Sequence, residues 1–410
     1  MVLAAIVAAS AALGTMNVQE ADSAPTQTAQ QPRFVQDRFA IGFWVDPPAD
    51  ADMDRRYADI AEAGFTLVLG GFGARTPDAV ERQIALCRKY GLRAIVAPSG
   101  LAPEQLPDAP EVWGYLIRDE PNAADFPALA QTVAAIRKAR PGKLAYINLF
   151  PDYASPQQLG TPTYDEHVRR FADEVNVDVL SMDHYPLFTP SADGREGYRR
   201  NLEVMRVHAL RRGIPHWNFF NVMPYGPHPD PTEAQLRWQV YTSVAYGSRG
   251  VLYFCYWTPG GDEFPKGGAI ITAEGRKTRH YDQARRINAA LNHLGPTLMQ
   301  LTSVSVIRIK PDDDPARLLA GSPIKSMTPG DYLVGIFRHK DGRSAVLINN
   351  YSITYTAWPT VEFAVPVSNV REVDKKTGAE IPCLDDSPAM EGLQVSLDSG
   401  EGRLFLVPRP

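Results

Sequence analysis

Short apolar runs alternate with longer amphipathic stretches between Phe39 and Leu294, and glycine or proline marks most of the boundaries. Apolar runs of this length between helix-period patterns predict buried parallel strands covered by helices. The strands read as 39–45, 65–69, 92–97, 112–117, 144–149, 177–182, 214–220 and 250–256. Helices are expected near 53–63, 76–90, 123–139, 164–175, 195–212 and 232–247, with a last one over 279–294 that ends at Gly295-Pro296. Thr76 before Pro77 and Thr232 before Gln235 are N-terminal cap signals, and Gly91 and Gly213 are C-terminal ones.

Eight strand units over about 260 residues match an α/β fold of the (β/α)8 TIM-barrel type. An open doubly wound sheet would carry a Gly-rich phosphate loop after its first strand, and Asp46-Pro47-Pro48 stands there instead. Past Pro296 the pattern changes to short, often alternating runs at 304–309, 331–338, 344–349, 361–365, 370–374, 393–397 and 403–407, separated by turns such as Lys340-Asp341-Gly342. These predict a small C-terminal antiparallel β-sandwich. The expected organisation is a signal-like apolar segment and linker over 1–33, a catalytic barrel over 34–297 and a β-sandwich over 298–410.

Composition changes this picture little. The 410 residues are 44% hydrophobic and 22% charged with a net charge of -5, ordinary for a globular chain. No basic stripe suggests nucleic acid. Val2 to Leu13 is apolar and too short to span a bilayer comfortably, and a polar stretch follows it to Arg33. That arrangement predicts a secretory signal and a secreted or periplasmic protein without stable membrane insertion. Cys87, Cys255 and Cys383 are far apart and lack metal spacing, so they read as small hydrophobes, and neither a metal nor a cofactor is expected.

Barrels of this kind do their chemistry at the C-terminal ends of the strands, so what each strand ends in is informative. The fourth ends in Arg118-Asp119-Glu120-Pro121, where Pro121 blocks further pairing. Alone, this could be an Arg118–Asp119 ion pair with Glu120 starting a helix. Adjacent carboxylates at the mouth of a buried strand are costly to desolvate, however, and that cost marks a candidate site. The other ends contribute Trp44, Asp46, Phe72, Arg75, Asn148, Asp152, Tyr153, Asp183, His184, Tyr185, Trp217, Asn218, Asn221, Tyr225, Tyr256 and Trp257, with Asp262 and Glu263 just beyond. Aromatics interleaved with carboxylates and amides around one rim suit a sugar, whose ring faces stack and whose hydroxyls hydrogen-bond. Singly, each tryptophan could be packing, His184 a structural hydrogen-bonder and Asp46 a turn former.

The Trp113-Gly-Tyr…Asp119-Glu-Pro121 segment resembles the fourth-strand motif of clan A and family 42-like glycoside hydrolases, in which an Asn-Glu-Pro or Asp-Glu-Pro carries the general acid/base. The Val251-Leu-Tyr-Phe-Cys-Tyr-Trp257 strand and the later Ala273-Glu-Gly-Arg-Lys-Thr…Tyr281…Asn288 stretch also resemble the end of such barrels. By this resemblance, over roughly residues 39 to 295, Glu120 takes the acid/base position and Trp257 the eighth-strand aromatic platform. One departure stands out: clan A places its nucleophilic Glu at the end of the seventh strand, and Trp217-Asn-Phe-Phe-Asn-Val-Met223 offers no acid. Three substitutes are open, in this order. Asp183 could be the second carboxylate; Asp119 and Glu120 could act together, as the Asp-Glu pair of families 20 and 123 does with a substrate acetamido group; or Asp262 or Glu263 could reach in from the eighth loop. The resemblance implies hydrolysis of O-glycosidic bonds in an oligo- or polysaccharide. The alternative is a non-catalytic carbohydrate-binding barrel.

A glycosidase needs one carboxyl group kept protonated and a second kept ionised. Burial and the nearby Asp119 suit Glu120 to the first role. A spacing of about 5 Å between the two groups would mean retention, and about 6.5 to 9.5 Å inversion.

Overall fold

The structure, a computed structural model, describes residues 32–188, 193–262 and 264–409. The signal-like segment therefore lies outside the described residues, as does Glu263. Eight parallel strands form the barrel: β1 (Ala40–Phe43), β2 (Leu67–Leu69), β3 (Arg93–Val96), β4 (Val112–Asp119), β5 (Leu144–Leu149), β6 (Leu180–Asp183), β7 (His216–Asn221) and β8 (Gly250–Phe254). They pair in the order β1-β8-β7-β6-β5-β4-β3-β2. Between β1 and β2, where no ladder forms, Thr66 stitches the seam. Its N–H donates to Ile41 O at 2.9 Å and its hydroxyl accepts from Ile41 N at 2.8 Å.

The covering helices are α1 (Met53–Glu62), α2 (Pro77–Tyr90), α3 (Phe126–Ala139), the short α4 (Pro156–Leu159), α5 (Tyr164–Arg170), α6 (Arg195–Arg212), α7 (Glu233–Ala245) and α8 (Arg279–Leu298). The Thr76 and Thr232 side chains accept from Ala79 and Gln235 N–H, while Gly91 and Gly213 close their helices in left-handed conformations. At one boundary the chain runs past an expected stop signal: α8 continues through Gly295-Pro296 to Leu298. A proline inside a helix costs about 3 kcal/mol, and burying Leu294 and Leu298 returns about 3–6 kcal/mol. Packing therefore carries the helix past its breaker.

The barrel interior is filled from below. Phe34 lies edge-on to Trp113 with ring centroids 5.5 Å apart, Trp217 packs against Trp113 and Tyr146 at 6.0 and 5.9 Å, and Trp217 Nε1 donates to Gln36 Oε1 at 3.0 Å. Among the described residues the tube is thus a packed core at its floor with a cavity at its mouth.

The C-terminal residues form two antiparallel sheets. One contains β9 (Leu301–Ile309), β11 (Tyr332–His339), β12 (Ser344–Asn350), β14 (Arg371–Val373), β15 (Glu380–Pro382) and β17 (Gly402–Val407); the other contains β10 (Ile324–Met327), β13 (Thr360–Phe363) and β16 (Leu393–Gln394). Strands β10 and β15 have no counterpart in the sequence pattern. The sheets enclose their own apolar core, built on residues such as Val334, Val346, Phe363 and Phe405. No helix among the described residues is long and apolar enough to cross a membrane.

Candidate active site

Strand β4 sets the site through an irregularity in its pairing. Leu116 lies opposite Tyr146 of β5, but Arg118 and Asp119 lie opposite Ile147 and Asn148, so Ile117 is an extra residue. A bulge of this kind shifts the alternation of faces by one. Leu116 and Asp119 therefore both turn toward the barrel interior, level with Tyr146 and Asn148. Pairing also carries β4 two residues beyond its apolar run. Lower down, Gly114 admits the close approach of β5, since a Cβ there would lie 2.0 Å from Leu144 O. Glu120 follows with φ +46°, and its N–H donates to Asn148 O at 2.9 Å. A left-handed backbone at a non-glycine residue is strained, and here it aims the carboxyl group inward. Across the mouth, Val45 at the end of β1 has φ +64°.

These ends enclose a cavity of about 350 Å³ lined by Trp44, Asp119, Glu120, Asn148, Asp183 and Tyr185 together with Val45, Phe72, Phe219, Tyr225, Phe254, Pro259 and Phe264. Asn148 organises the acids: its Nδ2 donates to Asp183 Oδ1 at 2.9 Å and to Asp119 Oδ1 at 3.2 Å. Its Oδ1 accepts from the Ser181 hydroxyl at 3.0 Å, which fixes the amide's orientation. Glu120 and Asp183 are in hydrogen-bond contact through their carboxyl groups. Arg118 pairs with Asp125 at 3.5 Å, and its charge offsets the burial of Asp119 less than the Asn148 hydrogen bond does.

Burial, and then the charge of Asp119, push the Glu120 carboxyl from 4.5 up to about 7, against the pull of its hydrogen bond with Asp183. Burial and then the charges of Glu120 and Asp119 raise Asp183 well above the ordinary range. Asp119 is raised by burial, which its Asn148 bond only partly offsets. Two touching carboxyl groups cannot both ionise cheaply, so the pair retains a proton into the neutral range. No lysine, arginine or histidine lines the cavity among the described residues.

The walls are aromatic. Trp44 meets Phe72 and Phe219 edge-on at 5.2 and 5.4 Å, and on the other side Tyr185, Tyr225, Phe254 and Phe264 stand with neighbouring ring centroids 5.2–6.0 Å apart. Asp46 holds one wall from behind without lining it. Its two oxygens accept from the backbone N–H groups of Phe72, Gly73 and Ala74, each at 2.9 Å. Gly73 permits that closeness, because a Cβ would lie 1.8 Å from Pro47 O.

Of the residues singled out from sequence, the structure brings Glu120, Asp183, Asp119, Asn148, Tyr185, Trp44, Phe72 and Tyr225 together and sets the other described ones apart. Trp217 sits in the floor. His184 turns outward, its Nδ1 2.9 Å from Asn201 Oδ1, and burial lowers its pKa to about 4. Asn218 donates to Tyr198 Oη and Ser243 Oγ behind the sheet, and Asn221 accepts from Met223 N–H. Tyr256 stacks on Phe43 at 4.5 Å, and Trp257 lies under the Arg56 guanidinium at 4.6 Å. Asp262 is exposed. Phe219, Phe254 and Phe264 line the cavity without having been singled out. For Phe219 a signal existed: with Trp217 facing in, strand alternation faces Phe219 in as well, one layer nearer the mouth.

No protein-family model matches the sequence, and no curated protein matches it. Solved structures do. A family 42 β-galactosidase from G. stearothermophilus is similar with a TM-score of 0.60 at 9% identity, over 91% of this chain and 98% of that one. The barrel fold is shared with glycoside hydrolases. A β-galactosidase from Bacillus circulans sp. alkalophilus is similar at TM-score 0.60 and 10% identity, covering 90% and 99% of the two chains. A family 39 glycoside hydrolase from Bacteroides cellulosilyticus WH2 is similar at 0.51 and 15%, covering 92% and 81%.

Proposed function

We propose that the protein hydrolyses O-glycosidic bonds, with Glu120 as general acid/base and Asp183 as its partner carboxylate. The carrying observation is the pair itself: two carboxyl groups from β4 and β6 in contact at the mouth of a barrel, inside an aromatic-walled cavity. The fold shared with glycoside hydrolases is consistent with it.

Entry of a sugar would replace the Glu120–Asp183 hydrogen bond with one from protonated Glu120 to the glycosidic oxygen. The anomeric carbon–oxygen bond then breaks, with its electron pair leaving on that oxygen and the proton arriving from Glu120. Asp183, released as a carboxylate and held by Asn148, faces the positive charge developing on the ring. Ionised Glu120 can afterwards take a proton from the incoming water. Trp44, Tyr185 and the phenylalanines supply ring faces for stacking.

A panel of chromogenic aryl glycosides, run on the wild-type protein and on Glu120→Gln, tests this. Hydrolysis by the wild type, with Glu120→Gln losing most of its turnover on the poorly activated members, is the expected result, and NMR of the first-formed anomer assigns the stereochemistry. Binding of oligosaccharides by calorimetry with no hydrolysis of any member would replace the proposal with a carbohydrate-binding barrel. Export is proposed alongside, from the apolar stretch at 2–13. Finding the protein in the cytosolic fraction of its native cells would refute it.

A further inference from the structure

A second cavity, of about 190 Å³, lies at the opposite end of the barrel, where α6, the starts of β7 and β8 and the first residues of β9 meet. Its walls include Arg206, His216, Tyr246, Arg249, Thr302 and Ser303. Three features mark it as unfinished. His216, 3% exposed, points outward because its neighbour Trp217 faces in, and its Nε2 has no hydrogen-bond partner. The Ser303 hydroxyl is likewise buried without a partner. Arg249 is part-buried and gives one hydrogen bond, from Nη2 to Leu301 O at 3.1 Å. Burial lowers its pKa with no acid acting to raise it.

A guanidinium withdrawn from water without a carboxylate is costly, and so is each orphaned polar atom. Arg206 beside it is held by Glu203 through two bonds of 2.8 and 2.6 Å, so it adds orientation more than net charge. Two carbonyls near the end of α6, Ala209 O and Leu210 O, already accept from Ile214 and Gly213 N–H. An unbalanced cation, a hydroxyl and an imidazole nitrogen around a small void form the complement of an oxyanion. Gly247, at φ +85°, lets Ser303 come close enough to take part.

We propose that this seam cavity binds a small oxyanion, a phosphate or a carboxylate, through Arg249 and Arg206 with His216 and Ser303 as hydrogen-bonding partners. The bound anion ties the floor of the barrel to β9, the edge strand of the C-terminal sheet. The site is independent of the catalytic mouth and does not rest on the glycosidase reading.

Thermal unfolding of the full chain in graded inorganic phosphate, in acetate and in chloride of matched ionic strength tests it. A saturable rise in Tm with phosphate or acetate above the chloride control is expected, and the stronger of the two identifies the anion's geometry. Arg249→Met should unfold no lower than wild type without anion, since it removes an uncompensated charge, and should lose the anion-dependent rise. Arg249→Lys, which keeps the charge but not the fork, should show a weakened rise and covers the case in which the methionine variant does not fold. Rises no greater than with chloride, or equal in wild type and the Arg249 variants, overturn the proposal.

Discussion

Glu120 and Asp183 reach the mouth from different strands, β4 and β6, and their carboxyl groups meet in a hydrogen bond. The contact requires a proton, and that proton is what an acid catalyst must hold near neutrality. Replacing Glu120 by Gln should lower turnover of poorly activated glycosides by about 10²–10⁴-fold. Near-wild-type turnover in that variant ends the assignment.

The same substitution should stabilise the protein as pH rises. The Glu120 carboxyl is raised from 4.5 to about 7, so the folded state binds more protons than the unfolded one in that window. Its contribution is full below pH 4.5 and is lost as pH climbs through 7. Glu120→Gln should therefore gain on wild type between those limits, reaching about 1–3 kcal/mol once solvent screening of this part-exposed group is allowed for. Urea titrations at pH 4.5 and 7.5 measure it, and a gain that does not grow with pH contradicts it.

Asp119 acts on Glu120 as a like charge. In Asp119→Asn the Glu120 carboxyl should titrate lower, drawing the alkaline limb of the kcat/KM profile toward acid. A limb that moves the other way would show that repulsion is not what Asp119 supplies.

Asn148 donates to two carboxyl groups at once. Asn148→Asp would replace those donors with a further acid beside three others. A loss of about 1–3 kcal/mol at pH 7 is expected, shrinking in acid as the extra group is neutralised. Chemical denaturation at two pH values reads both parts.

Asp46→Ala should leave three backbone N–H groups at residues 72–74 without their acceptor and cost about 2–4 kcal/mol. Because Phe72 belongs to the cavity wall, KM should rise more than kcat falls. Trp217→Phe is the contrasting case. It trims the barrel floor, so stability should drop by about 1–3 kcal/mol while KM holds.

Much of the architecture was legible in the chain because it is carried by local patterns. Strand β5 and helix α6 fall at their expected residues, Thr76 and Thr232 cap as their side chains dictate, and apolar runs find a sheet covered on both faces. The breaker at Gly295-Pro296 misled because burial of Leu294 and Leu298 is a tertiary term that no local rule contains.

The site divides along the same line. Sequence alone placed the acids of the fourth and sixth strands, since a strand's end is visible where its apolar run stops. It did not decide depth or facing. The extra residue at Ile117 sets which β4 side chains turn inward, and the floor formed by Phe34, Trp113 and Trp217 decides that Phe219 rather than Trp217 reaches the mouth. Both depend on what lies on the neighbouring strand, and residues far apart in the chain become neighbours only when the barrel closes.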